Sequence, residues 1–285
     1  MKNRIGILGA LACIGIGLLA MPAAGLERLP VPPAIPPSAP GSIIVYGDSL
    51  LTQGQTYLFD NLSTPGWNVV IRQRPGSAIC HWIPTLQQDA ATVPDIRIVV
   101  VAFVGSMLDP CVQNRGTQVQ VYTADATTFA SFWQAQGVRV VWVGPPGPPN
   151  GPGTTGTHPL VPVFDTIARS HDQGFVDTGT ELETTLQAFG KVIPQSWPDF
   201  MPCLVFDYAA GACGSDGLAQ VHFSSTDDHL CVVDPGFNAC PVYSSGIVRW
   251  GSAIVSGVKV QEQGQGAWDP DVLYPIVAFW KDGVG

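Results

Sequence analysis

GSIIVYGDSLLTQGQ, residues 41–55, decides how the rest of the chain is read. An unbroken apolar run from Ser42 to Gly47 turns sharply at Gly47-Asp48-Ser49 and continues as a segment that reads as a helix. A strand looks like this when both of its faces are covered, because neither face needs polar residues. Four further runs follow: WNVVIRQ (67–73), IRIVVVAF (96–103), VRVVWVG (138–144) and GFVDTG (174–179). The stretches between them are long enough for crossover helices, so the pattern predicts an α/β fold, a parallel sheet with helices on both sides. No internal repeat interrupts it.

In such a sheet, ligands gather outside the carboxyl ends of the strands. Ser49 stands there, on the first turn of the expected helix, where free backbone N–H groups could support a developing oxyanion. Gly, Asp and Ser are also ordinary turn formers, and Asp48 as a plain helix cap is the competing explanation. Its setting and its partners have to decide.

The flanks speak to compartment. MKNR followed by the apolar IGILGALACIGIGLLA and then MPAAG has the layout of a secretory signal peptide, residues 1–25. An uncleaved membrane anchor is the alternative, although the run is shorter than the roughly 20 residues a spanning helix needs. Residues 26–41 are a proline-rich spacer, residues 42–262 the folded domain, and residues 263–285 a C-terminal extension. The expectation is an exported protein, in solution or at the cell envelope, with no stable membrane insertion once the signal is removed.

With 13 Lys and Arg against 22 Asp and Glu, the formal net charge is −9. A nucleic acid partner is excluded on composition, since neutralising phosphates takes clustered cations and none occur. Of the 7 cysteines, Cys13 lies in the signal, which leaves an even set suited to an oxidising compartment. Proximity suggests Cys203 with Cys213 and Cys231 with Cys240, leaving Cys80 with Cys111. The spacings lack a paired C-x-x-C, so a zinc site is not expected.

A serine nucleophile needs a base. Among the 5 histidines, His81 follows Cys80, His158 lies in a Gly/Pro/Thr loop, His171 sits at a helix end, and His222 lies in the alternating QVHFS. His229 differs: SSTDDHLC gives it two acids immediately before and a cysteine two residues after. Acid, base and cross-link converge in one short loop.

VYGDSL at the start of the domain, RPGSAICHW after the second strand, VVVAFVGSMLDPC after the third and TDDHLC near the end together resemble the SGNH hydrolases, also called GDSL esterases and lipases. The paired positions Cys80 and Cys111 look like a secreted actinobacterial branch. The resemblance covers about residues 42–262 and implies a flavodoxin-like three-layer sandwich. It also implies Ser49 as nucleophile and His229 as general base, with no cofactor and no metal. The oxyanion would be held by the backbone N–H of Ser49, that of Gly76, and a third-motif side chain.

The chain departs from the family pattern twice. Ser106 stands where asparagine is expected, and a hydroxyl is shorter than an amide and freer to rotate. Thr226 stands where the orienting aspartate is expected, which leaves the role to Asp227, to Asp228, or to a backbone carbonyl. Asp227 is preferred, because the nearest neighbour of His229 in an extended segment points to the opposite side.

The resulting expectation is a monomeric serine esterase acting on a small acyl ester, such as an O-acetyl group on a carbohydrate. The alternatives are an acyltransferase with the same nucleophile and a non-catalytic secreted binding protein with an eroded site. The proline-glycine stretch WVGPPGPPNGPG after the fourth strand is a candidate substrate mouth.

Overall fold

The computed structural model describes residues 41–64, 66–146, 158–178, 200–221, 229–233, 235–236 and 238–262. The expected signal peptide, nearly all of the spacer, most of the proline-glycine stretch after the fourth strand, and the C-terminal extension lie outside these residues.

Strand and helix alternate from Ser42 onward: β1 (Ser42–Gly47), α1 (Ser49–Ser63), β2 (Asn68–Gln73), α2 (Ile79–Trp82) and, after a 3-10 turn (Ile83–Thr85), α3 (Leu86–Thr92). β3 (Ile96–Ala102), α4 (Gln118–Ala135), β4 (Arg139–Gly144), α5 (Val161–Ser170) and β5 (Gly174–Asp177) complete the pattern. The five strands pair in parallel in the order β2-β1-β3-β4-β5. That is the flavodoxin-like order, with its topological switch point between β1 and β3.

The reason the strands read as continuous apolar runs is visible in how their side chains divide. Ile43 and Val45 join Val100, Val141 and Val143 in a core that includes Leu51 and Leu58 of α1. Ile44 and Tyr46 face the other way, with Val99, Val101, Val140 and Trp142, onto Phe129 and Trp133 of α4 and Phe164 of α5. A period of two with both faces buried leaves no polar position in the strand interior.

Helix α7 (Ser245–Glu262) covers the first face beside α1. The two helices meet through reciprocal glycines: a Cβ on Gly54 would lie 2.6 Å from the Trp250 ring, and one on Gly251 would lie 2.4 Å from the Tyr57 ring. An antiparallel ribbon, β6 (Phe200–Pro202) and β7 (Leu218–Gln220), flanks a short α6 (Val205–Ala209) and is tied to α7 by Arg249. The fully buried Arg249 guanidinium donates to Asp207 Oδ2 at 2.7 Å and to the Pro202 carbonyl at 2.8 Å, while the Tyr243 hydroxyl donates to Asp207 Oδ1 at 2.7 Å. Disulfides join Cys80 to Cys111, Cys203 to Cys213 and Cys231 to Cys240, the pairing expected from spacing. No described helix is long and apolar enough to cross a membrane.

Candidate active site

β1 ends at Gly47, and the chain enters α1 at once with Asp48 as its N-cap. The Asp48 carboxylate is fully buried and accepts from two backbone N–H groups, Leu50 at 3.2 Å and Val104 at 2.8 Å. The first contact caps the helix and the second pins the loop after β3 to the end of β1. Burial pushes this carboxyl up to about 7, against the pull of both N–H groups and of the nearby His229. Ser49 is therefore the first helical residue, at the switch point, on a turn fixed from both sides.

Arg74 through Ser77 follow β2 as a tight turn closed by Ser77 N–H to the Arg74 carbonyl at 3.1 Å. Pro75 presets the first central position, and Gly76 takes φ +73°, a region open to glycine and strained for other residues. After β3, the loop is held by Tyr122, whose hydroxyl donates to the Ser106 carbonyl at 3.0 Å, and by Gln118, whose amide donates to the Gly105 carbonyl at 2.6 Å.

His229 arrives from far along the chain. Gln53, one helical turn beyond Ser49 on the same side of α1, accepts the Leu230 N–H through its Oε1 at 3.0 Å. Its backbone carbonyl accepts the Cys240 N–H at 3.1 Å. The Cys231–Cys240 disulfide closes the intervening loop, and Ser244 donates to the Leu230 carbonyl. One glutamine thereby fastens the segment that carries His229 to the helix that carries Ser49.

These four segments border a single cleft of about 500 Å³. Ser49, Gly76, Ser106 and His229 all line it, together with Arg74, Pro75, Leu108, Asp109 and Pro110. Asp227 and Asp228 lie outside the described residues, as does His222. His158 and His171 stand elsewhere. His158 is buried, accepts the Leu160 N–H at 3.2 Å, and is pushed down to about 4 by burial. His171 caps the end of α5.

Ser106 Oγ lies 3.0 Å from the Gly76 carbonyl and accepts the Leu108 N–H at 3.2 Å. Its proton is thus directed at a backbone carbonyl, and the hydroxyl has to rotate before it can serve an oxyanion. The motif residues of the second and third loops are bonded to each other here. Reasoning from sequence overlooked Gln53 and the link from Asp48 to Val104. The only available signal was that Gln53 follows Ser49 by four residues.

No protein-family model matches the sequence, and no curated protein does. Among solved structures, the chain is similar to an acetylxylan esterase from Geobacillus stearothermophilus at 12% identity and TM-score 0.47, over 80% of this chain and 96% of that one. An alpha/beta hydrolase enzyme from the metagenome of Lake Arreo aligns at 12% identity and TM-score 0.48, over 78% and 96%. A GDSL-like lipase from Bacteroides thetaiotaomicron aligns at 10% identity and TM-score 0.43, over 80% and 92%. Likeness at this level carries no inference about activity, which rests on the chemistry of the cleft.

Proposed function

We propose that the protein is an exported serine esterase of the SGNH type that hydrolyses a small acyl ester, with acetyl on a carbohydrate hydroxyl as the preferred class. The observation that supports it most is the meeting of Ser49, Gly76 and His229 on one cleft although they are separated by up to 180 residues. Histidine is the side chain suited to taking a hydroxyl proton near neutral pH.

In this mechanism Ser49 Oγ attacks the ester carbonyl carbon while His229 takes its proton. The backbone N–H groups of Ser49 and Gly76 receive the oxyanion, with Ser106 as a third donor after rotation. Collapse breaks the bond to the alcohol, which leaves with the proton from His229. Water then attacks the acyl-serine, His229 takes and returns a proton, and the carboxylic acid departs. Asp227 orients the imidazole in this scheme, and Asp48 adds a buried acid beside it. The cleft falls in the size range of small-molecule sites, and Pro75, Leu108 and Pro110 give it a short apolar lip suited to a small acyl group.

A second reading, a carbohydrate-binding protein without catalysis, is favoured by the Ser106 contact with Gly76, which removes one oxyanion donor. Loss of one such donor costs about 10²- to 10³-fold in rate. A fluorophosphonate probe separates the two. Covalent labelling that disappears in Ser49→Ala, with turnover of p-nitrophenyl acetate lost in parallel, supports the esterase. No labelling and equal turnover by wild type and Ser49→Ala sinks it.

A further inference from the structure

Among the described residues the cleft holds one arginine, Arg74, and its surroundings are built rather than incidental. Six of the seven described arginines engage protein oxygens: Arg72, Arg97, Arg115, Arg169 and Arg249 pair with carboxylates, and Arg139 donates to the Gln261 carbonyl. Arg74 has no carboxylate partner among the described residues. Its Nη1 lies 3.2 Å from His81 Nε2, and His81 Nδ1 lies 3.4 Å from Asp109 Oδ2. Asp109 is 6% exposed and also accepts the Cys111 N–H at 3.0 Å, while the Cys80–Cys111 disulfide joins the two segments that carry His81 and Asp109. Arg74 Nη1 lies 3.4 Å from Nδ1 as well as 3.2 Å from Nε2, so it rests against the imidazole ring rather than in line with one lone pair, and the tautomer protonated on Nδ1 donates to Asp109.

We propose that Arg74 is an anion-recognition residue of this cleft, positioned by His81 and Asp109, and that the ester accepted there carries a carboxylate on its alcohol part, as an O-acylated acidic sugar does. The inference rests on the esterase reading of the same cleft. Arginine's planar fork matches a carboxylate through two parallel N–H donors, and one nitrogen is already steadied by His81. An exposed arginine paired with a solvated anion contributes little, but a substrate that fills the cleft displaces water from the pair and strengthens it. The chain's net charge of −9 offers no long-range attraction to an anion, so discrimination has to come from this contact.

The test compares 3-acetoxybenzoate with its neutral match 3-acetoxybenzamide. Wild type is expected to favour the benzoate in kcat/KM by about tenfold, the value of a hydrogen bond to a charged group, with that ratio falling to about one in Arg74→Ala. Arg97→Ala, on the opposite end of the sheet, keeps the wild-type ratio. His81→Ala raises KM for the benzoate more than for the benzamide. A wild-type ratio near one, or a ratio that survives Arg74→Ala, overturns the proposal while leaving the esterase intact. If neither ester turns over and Ser49 takes no fluorophosphonate, the esterase reading fails by itself. NMR titration with D-glucuronate then decides Arg74: binding that disappears in Arg74→Ala upholds the anion site, and no binding to wild type overturns it.

Discussion

The two halves of the cleft are held by different means. On the Ser49 side, Ser49, Gly76 and Ser106 sit at the ends of β1, β2 and β3, and a buried carboxylate, Asp48, bridges two of those ends through backbone N–H groups. On the opposite side, His229 rides on a segment outside the sheet, fastened by Gln53, Ser244 and the Cys231–Cys240 disulfide. Position on the first side is inherited from strand register. On the second it depends on a few contacts far apart in sequence, each of which can be removed singly.

The largest effect expected is on rate, from His229→Ala: kcat for p-nitrophenyl acetate should fall by up to about 10⁶-fold with the urea midpoint unchanged. A midpoint shift of comparable weight would mean that His229 is a packing residue. On the sheet side, Asp48→Ala leaves the Leu50 and Val104 N–H groups buried without acceptors and should destabilise by about 3–5 kcal/mol in urea unfolding. Loss below about 1 kcal/mol would show that water replaces the bridge. Removing the disulfide in Cys231→Ser/Cys240→Ser should cost about 2–3 kcal/mol by loop-closure entropy, since the bridge closes a loop with a sequence separation of only 9. Fluorophosphonate labelling should slow in the same variant. Gln53→Ala should cost about 1–3 kcal/mol from the orphaned Leu230 N–H, with slower labelling as the mark of a displaced His229. Unchanged labelling would assign Gln53 to stability alone.

Asp48 also makes the sheet side sensitive to pH. Its folded value of about 7 lies above its ordinary 3.8, so the native state binds the extra proton in that window. This contribution to stability is complete below about 3.8 and is lost as pH rises through about 7. Urea midpoints from pH 4 to pH 8 should therefore decline more steeply for wild type than for Asp48→Asn, and parallel profiles would remove Asp48 as the source.

How much was legible depended on where the burial lay. The five parallel strands were readable within one or two residues because burial on both faces forces an unbroken apolar run in the inner strands β1, β3 and β4, while the edge strand β2 keeps its apolar Val69-Val70-Ile71 centre between polar ends. β6 and β7 have 3 residues each and no such pattern, and Arg249, charged in sequence, is fully buried beside Asp207. Gly76 was legible through the resemblance of RPGSAICHW to a family motif, whereas Gln53 looks like any polar residue of a surface helix.

The sequence by itself determined the strands, the turn that presents Ser49, the glycine after β2 and a cysteine pairing that follows proximity. The strands and turns depend on neighbours a few residues apart, and two of the disulfides on cysteines 9 and 10 apart, which left Cys80 with Cys111. Only the tertiary structure decided that His229 comes to Ser49 by way of Gln53, that the Ser106 hydroxyl faces Gly76, and that Arg74 stands in the cleft on His81 and Asp109. Those contacts join residues between 7 and 177 apart, and their geometry exists only once the sheet has set the distances between its loops.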